Sequence, residues 1–202
     1  MMAGMNIPQL NNRYRRDFYT RPATEVAREL LGQSLVRFRA NGEVLGGKIV
    51  ETEAYLAEDD PASHSARGLT RRNASMFQQP GTLYVYTIHA KCCMNVSTDR
   101  SGIGSAVLIR AIEPLWGLET MAAARGQTDP RRLTRGPAML CQALGVTTAE
   151  DGIDLVTSNE LTIVPGEPPS AAEVASGPRI GISRAVELPL RFYVQSSRFK
   201  SR

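Results

Sequence analysis

Two strand-like runs, joined by a long connection that turns basic, constrain this chain more than any other feature. The first runs from Gly47 to Tyr55 and the second from Thr82 to Ile88, and both carry the β-branched and aromatic residues that suit a pleated, half-buried surface. Side chains alternate faces along a strand, so Glu51, Glu53 and Tyr55 are expected on one face. Ile49 and Val50 nearby imply that the Glu53 carboxylate is partly desolvated, which holds its pKa near a working value. Residues 56–81 between the runs are rich in Gly, Pro, Ser and Arg. A connection of that length inside a compact domain is expected to be functional or disordered.

The remaining elements follow from local signals. Thr24 is a candidate N-cap for a helix over residues 25–31, with Gly32 as its terminator. Residues 34–39 read as a strand, and Asn41-Gly42 carries the hairpin signal that returns the chain into a strand over residues 43–55. Further strands are expected at Cys92–Ser97, Ala106–Glu113, Leu161–Val164 and Leu190–Val194. Helices are expected at Leu118–Arg125 and at Pro137–Leu144, the latter with Pro at its start and Gly145 just past its end. Residues 165–171, Pro-Gly-Glu-Pro-Pro-Ser-Ala, read as a surface loop. Strands in the middle with helices before and after imply an α+β fold in a single mixed domain, residues 21–202, preceded by a loosely docked arm at residues 1–20.

Composition excludes several classes. No window approaches the roughly 18 apolar residues of a membrane span. The polar, Arg-rich start has no apolar core of the signal-peptide kind, and a cytoplasmic protein is expected, nucleoid-associated if bacterial. Cys92, Cys93 and Cys141 cannot all pair, and their spacing fits no disulfide framework. The net charge of +4 is modest, but its distribution is uneven. Residues 61–95 contain no Asp or Glu yet include Arg67, Arg71, Arg72 and Lys91. A second basic cluster holds Arg131, Arg132 and Arg135, and a third holds Arg191, Arg198, Lys200 and Arg202. Segregation of this kind points to a polyanion partner.

Glu53 is the leading catalytic candidate, set against the alternative of a structural ion pair with one of the many arginines. Glu51 lies two residues away on the same strand, too close and too parallel to flank a substrate from the opposite side as paired carboxylates do. One catalytic carboxylate is therefore expected. Tyr55, Tyr84 and Tyr86 are either core aromatics or a platform, and His64 is either structural or part of a site. His89, Cys92 and Cys93 lack the paired spacing of a structural zinc site, so no metal and no cofactor is expected. A carboxylate beside aromatic side chains, with basic loops nearby, suits hydrolysis of a flat group attached to a polyanion, that is, a damaged base in DNA.

Longer runs carry a specific resemblance. Ile49-Val-Glu-Thr-Glu-Ala-Tyr-Leu56, His64-Ser65, Arg72-Asn73, Met76-Phe77, residues 80–86, Cys93-Met-Asn95, residues 107–114, Leu118-Glu-Thr-Met121, residues 136–144 and residues 189–194 together resemble the alkyladenine (3-methyladenine) DNA glycosylase family of the mammalian AAG/MPG type. The resemblance runs in order from Leu30 to Val194. It implies a curved antiparallel β-sheet with flanking helices, and a monofunctional glycosylase of base excision repair. Such an enzyme flips alkylated or deaminated purines of the 3-methyladenine, 7-methylguanine and hypoxanthine type out of duplex DNA and leaves an abasic site. The implied partner is double-stranded DNA with damaged purines, and the expected state is a monomer.

The resemblance further implies that Glu53 activates water, that Arg110 helps to hold that water, and that a backbone carbonyl within residues 179–182 does so too. It implies that Tyr55 stacks on one face of the base with His64 and Tyr86 on the other, and that Asn95 crowds the 2-amino group of guanine. Arg67, Arg71, Arg72 and Lys91 are expected near phosphates. At the position where the mammalian type places a Tyr wedge, this chain has His89. No catalytic Lys is implied, hence no Schiff base. The rival expectations are a non-catalytic nucleic-acid-binding module of the same fold and a nucleoside hydrolase.

Overall fold

The computed structural model describes residues 8–201. Its central strand is β2, Val44–Tyr55, and the two edges of that strand determine the architecture. One edge pairs antiparallel along most of its length with β5, Ser105–Trp116. The other edge is divided: β1, Ser34–Phe38, pairs with residues 44–48, and β8, Arg191–Val194, pairs with residues 51–53. Beyond β5 lie β4, Lys91–Thr98, and then β3, Leu83–Ile88. Beyond β1 lies β6, Leu161–Val164, while β7, Val174–Gly177, pairs with β8. All pairings are antiparallel, and the eight strands form one curled sheet.

Two glycines allow the divided edge. A Cβ on Gly46 would lie 2.2 Å from the Leu35 carbonyl oxygen, and one on Gly47 would lie 1.9 Å from that of Glu113. Gly46 also has φ +154, a backbone conformation open to glycine alone at little cost. The register between β2 and β5 shifts at Gly46/Gly47 and again between Ile49 and Thr52. Bulges bend a strand and add twist, so the upper half of β2 turns away from β1 and is free to accept β8.

Alternation then separates the two faces of the sheet. Thr52 and Ala54 of β2, Leu83 and Val85 of β3, Met94 and Val96 of β4, and Val107 and Ile109 of β5 are all buried on the helix-covered face. The helices there are α1 (Arg16–Tyr19), α2 (Ala23–Glu29), α3 (Leu118–Arg125) and α4 (Pro137–Leu144). Ala23, Val26 and Ala27 of α2 are almost fully buried, and the Thr52 hydroxyl donates to the Ala27 carbonyl at 2.7 Å. The opposite, concave face carries Glu51, Glu53 and Tyr55, as the strand period requires, together with Tyr84, Tyr86, Cys93, Asn95, Leu108 and Arg110.

The α+β reading and the single mixed domain hold, with adjustments. Helix α2 begins at Ala23, with Pro22 rather than Thr24 at its N-cap position, because the fixed φ of Pro22 already presets the entry. Strand β7 carried no sequence signal: Val174-Ala-Ser-Gly177 is short and lacks alternation, and its pairing with β8 defines it. Residues 1–7 of the expected arm lie outside the described residues. From Pro8 on the chain is docked, with Tyr14 stacked on Phe18 at 4.0 Å, Tyr19 fully buried and Arg16 paired to Asp154 at 2.6 Å.

Gly47→Ala should cost at least about 2 kcal/mol of unfolding free energy, because the added methyl meets backbone that cannot yield. Urea denaturation checks this. A midpoint equal to that of the parent chain would show that β2 and β5 tolerate separation at this bulge.

Candidate active site

The concave face gathers one carboxylate and its partners from three separate parts of the chain. Glu53 is fully buried. Its Oε1 accepts from the Ile180 backbone N–H at 2.8 Å and lies 3.1 Å from Arg110 Nη1, while Oε2 accepts from the Tyr55 hydroxyl at 2.9 Å. Burial pushes its pKa above the ordinary glutamate value, and the Arg110 charge, the Ile180 N–H and the Tyr55 hydroxyl only partly offset that. A carboxylate whose hold on a proton is strengthened in this way has the character of a general base. Arg110 also lies 3.5 Å from Glu51, so a single guanidinium stands between the two carboxylates of β2.

Beside Glu53 a cleft of about 930 Å³ opens to solvent. Its inner end is bounded by Tyr55, His64, Met76, Tyr84, Tyr86 and Asn95. The His64 ring stands edge-on to Tyr86 with centroids 4.5 Å apart, and its Nδ1 is 2.8 Å from the Tyr84 hydroxyl. Burial, aided by the nearby Arg72 charge, lowers the His64 pKa, so this histidine is neutral at neutral pH. Burial also pushes the Tyr55 and Tyr86 phenols well up, leaving both rings as uncharged walls. Asn95 donates from Nδ2 to the Tyr84 carbonyl at 3.1 Å, which fixes its amide at the floor.

Tyr55 is held from behind. Arg179 stacks on its ring at 4.6 Å, bonds both carboxylate oxygens of Asp60 at 2.6 Å, and donates to the Ala54 carbonyl at 3.0 Å. Both side chains of that pair are wholly buried. Burial works against the Asp60 anion, but Arg179 and the N–H groups of Leu56 and Ala62 hold its carboxyl below the ordinary aspartate range. The pair joins the start of the 56–81 connection to the segment that presents Ile180.

The structure thus brings Glu53, Arg110, Tyr55, His64, Tyr86 and Asn95 together. Of the basic residues singled out in the sequence, Arg67 and Arg72 line the cleft, Arg72 also donating to the Thr87 carbonyl at 2.8 Å. Arg71 and Lys91 are exposed, away from the cleft lining. His89 is exposed at the tip of the β3–β4 hairpin, where it and Ala90 have φ of 47 and 61. Among the described residues no three or more His, Cys, Asp or Glu side chains gather in a way that could hold a metal ion. Arg191 turns inward to Glu51 at 3.1 Å instead of lying on a basic surface, because a buried carboxylate there needs a partner. Sequence reasoning missed Asp60 and Arg179, whose pairing spans 119 residues and leaves no local pattern. It also missed Arg184 on the cleft wall, which the loss of acids over residues 61–95 could not signal.

A desolvated carboxylate beside an aromatic slot with an arginine-bearing rim is the site of a hydrolase for a flat group carried on a polyanion. Comparison with known proteins makes that class specific. The family model for methylpurine-DNA glycosylase (MPG) matches residues 17–198. A relative from Rhodopirellula baltica named as a 3-methyladenine DNA glycosylase is 50% identical over 189 residues, covering 91% of this chain and 81% of that protein. One of the same name from Granulibacter bethesdensis is 50% identical over 187 residues, covering 91% and 85%. Another, from Methanocella arvoryzae, is 44% identical over 187 residues, covering 90% and 92%. The chain belongs to the methylpurine-DNA glycosylase family, and so to the DNA-repair hydrolases that act on N-glycosyl bonds.

The raised Glu53 pKa has a consequence for stability. A group whose folded pKa exceeds its unfolded value supports folding fully below the unfolded pKa, and that support is lost as pH rises through the folded value. Glu53→Gln removes this penalty, so the melting temperature of the variant relative to the parent chain should rise as pH increases from about 4 to about 8. A difference that stays flat across that range would show that Arg110 fully compensates the buried charge.

Proposed function

We propose that this chain is a monofunctional glycosylase of base excision repair, with residues 21–202 as its catalytic domain. It flips an alkylated or deaminated purine out of duplex DNA, of the 3-methyladenine, 7-methylguanine or hypoxanthine type. It then hydrolyses the N-glycosidic bond and leaves an abasic site. It acts as a monomer, in the compartment that holds the chromosome. The observation that carries this reading is the buried Glu53 carboxylate bonded to Tyr55, Arg110 and the Ile180 backbone, three residues that line the cleft with its aromatic slot.

In this mechanism Glu53 takes a proton from a water that attacks C1′ of the extruded nucleotide. Its raised pKa makes it a better proton acceptor than an ordinary glutamate. The Ile180 carbonyl, 3.5 Å from Arg110 Nη1, is the acceptor that orients the water, and Arg110 keeps the carboxylate in place. The base lies between Tyr55 on one side and His64 with Tyr86 on the other. Extrusion costs a few kcal/mol, and each aromatic stack returns roughly 1–3 kcal/mol, so two platforms offset it. A ring-methylated purine is cationic and leaves without an acid, so one carboxylate suffices for it, whereas neutral hypoxanthine must also take up a proton from solvent as it leaves. Arg67 and Arg72 neutralise phosphates along the rim, and His89 occupies the gap that the flipped nucleotide leaves.

Glu53→Gln tests the reading directly. Release of 3-methyladenine from alkylated duplex DNA should fall by about 10²–10⁴-fold under single-turnover conditions while affinity for DNA is kept. Near-parental release would remove Glu53 from the reaction. A parent chain that bound damaged duplex without breaking the bond would be a binding module, and one that preferred the free nucleoside would be a nucleoside hydrolase.

Asn95 sets the lower limit of the slot. Asn95→Ala is expected to raise release of undamaged guanine relative to hypoxanthine, because the space freed accepts a 2-amino group. Side-by-side single-turnover rates read the ratio, and an unchanged ratio would assign guanine exclusion to another wall.

A further inference from the structure

The mechanism leaves one buried cluster unused. Glu51 is as fully buried as Glu53 and lies on the same face of β2. Four donors surround it. Its Oε1 accepts from Arg191 Nη1 at 3.1 Å and from the Ser201 hydroxyl at 2.9 Å, and it lies 3.5 Å from Arg110 Nε. Its Oε2 accepts from the Ser201 backbone N–H at 2.6 Å. The Ser201 hydroxyl oxygen in turn accepts from Arg110 Nε at 3.3 Å and from Nη2 at 3.2 Å. A relay therefore runs from Arg110 through Ser201 to Glu51, across 150 residues of sequence. The segment that carries Ser201 is fastened independently, since Arg135 Nε donates to the Lys200 carbonyl at 2.7 Å.

The orientation of these bonds matters. A guanidinium is a planar fork, and here its edges are divided between two duties. Nη1 faces Glu53 and the Ile180 carbonyl, whereas Nε and Nη2 face Ser201. Holding one edge fixes the direction of the other. Arg110 packed by shape alone could swing toward Glu51, which offers an equal charge.

We propose that Ser201, anchored by Glu51, is a positioning residue that aims the Arg110 guanidinium at Glu53, so that the segment around residues 195–201 is a working part of the reaction site. This rests on the reading of Glu53 and Arg110 as the pair that handles water. It gives Glu51 a role other than a second catalytic carboxylate.

The test is a pH profile. Other groups that bear on Glu53 are Tyr55 on β2, Arg179 in the loop after β7, Tyr86 on β3 and Cys93 on β4, with Arg191 opposite it on β8. Ser201→Ala alters the charge of none of them. If Ser201 aims Arg110, its loss withdraws positive charge from Glu53, the Glu53 anion becomes less favourable, and the acid limb of the excision rate moves to higher pH. The single-turnover release of 3-methyladenine from alkylated duplex should also fall about tenfold, the size of one charge-assisted hydrogen bond. Ser201→Thr keeps the hydroxyl and should restore both. An acid limb unmoved in Ser201→Ala, whatever the rate, overturns the proposal, as does a limb that Ser201→Thr leaves displaced. Glu53→Gln in the same assay separates the two readings. If it stays active, the catalytic assignment falls and this one with it; if it is inactive while Ser201→Ala matches the parent chain, only the positioning role falls.

Discussion

Two carboxylates on the buried face of one strand must be neutralised, and most of this molecule is arranged around that requirement. An ion buried without its partner costs about 3–5 kcal/mol, a large share of the stability of a domain this size. Glu51 and Glu53 are met by two cations, Arg110 from β5 and Arg191 from β8. The divided edge of β2 has its reason here. If β1 continued along the whole strand, β8 could not reach Glu51, and the inner face of the sheet would hold more negative charge than it could accommodate. The two bulging glycines, a local feature of backbone geometry, thereby set the electrostatics of a site several residues away.

The pocket is built with its cost met in advance. Tyr55 is clamped between its own hydroxyl bond to Glu53 and the Arg179 guanidinium on its rear face. Asn95 is tied to the backbone of β3, and His64 to the hydroxyl of Tyr84. In the proposed function none of these side chains needs to be ordered when a base arrives, so the entropy of fixing them is not subtracted from the binding energy. Groups that are already oriented where charge will develop also require no reorganisation at the moment of reaction.

Much of this was legible in the sequence, and what was not has a common cause. The expected bounds of α3 and α4 hold to the residue, Pro137 and Gly145 marking those of α4, and alternation put Glu51, Glu53 and Tyr55 on one face. The resemblance over residues 30–194 supplied the curved antiparallel sheet and the family. Pairings such as Asp60–Arg179 and Glu51–Ser201, separated by 119 and 150 residues, were beyond reach. A single sequence encodes period and propensity locally, but which distant charge answers a buried one depends on the finished topology. Arg191 illustrates the error that follows: counted by composition it joined a basic surface, whereas burial of Glu51 draws it inward. Strand β7 escaped notice because pairing, not its own residues, makes it a strand.

The origin of the site's parts along the chain bears on how the protein is made. Glu51, Glu53 and Arg110 are synthesised well before Ile180, Arg191 and Ser201. Until they arrive, the concave face holds two carboxylates with one cation between them, and water must fill the places of the missing donors. Contacts of such long sequence separation also slow folding. The proposed centre therefore stays incomplete until Ser201 has been made. Its carboxylates gain their full set of partners only when β8 closes against β2, so that folding and the proposed catalytic competence are completed in the same step.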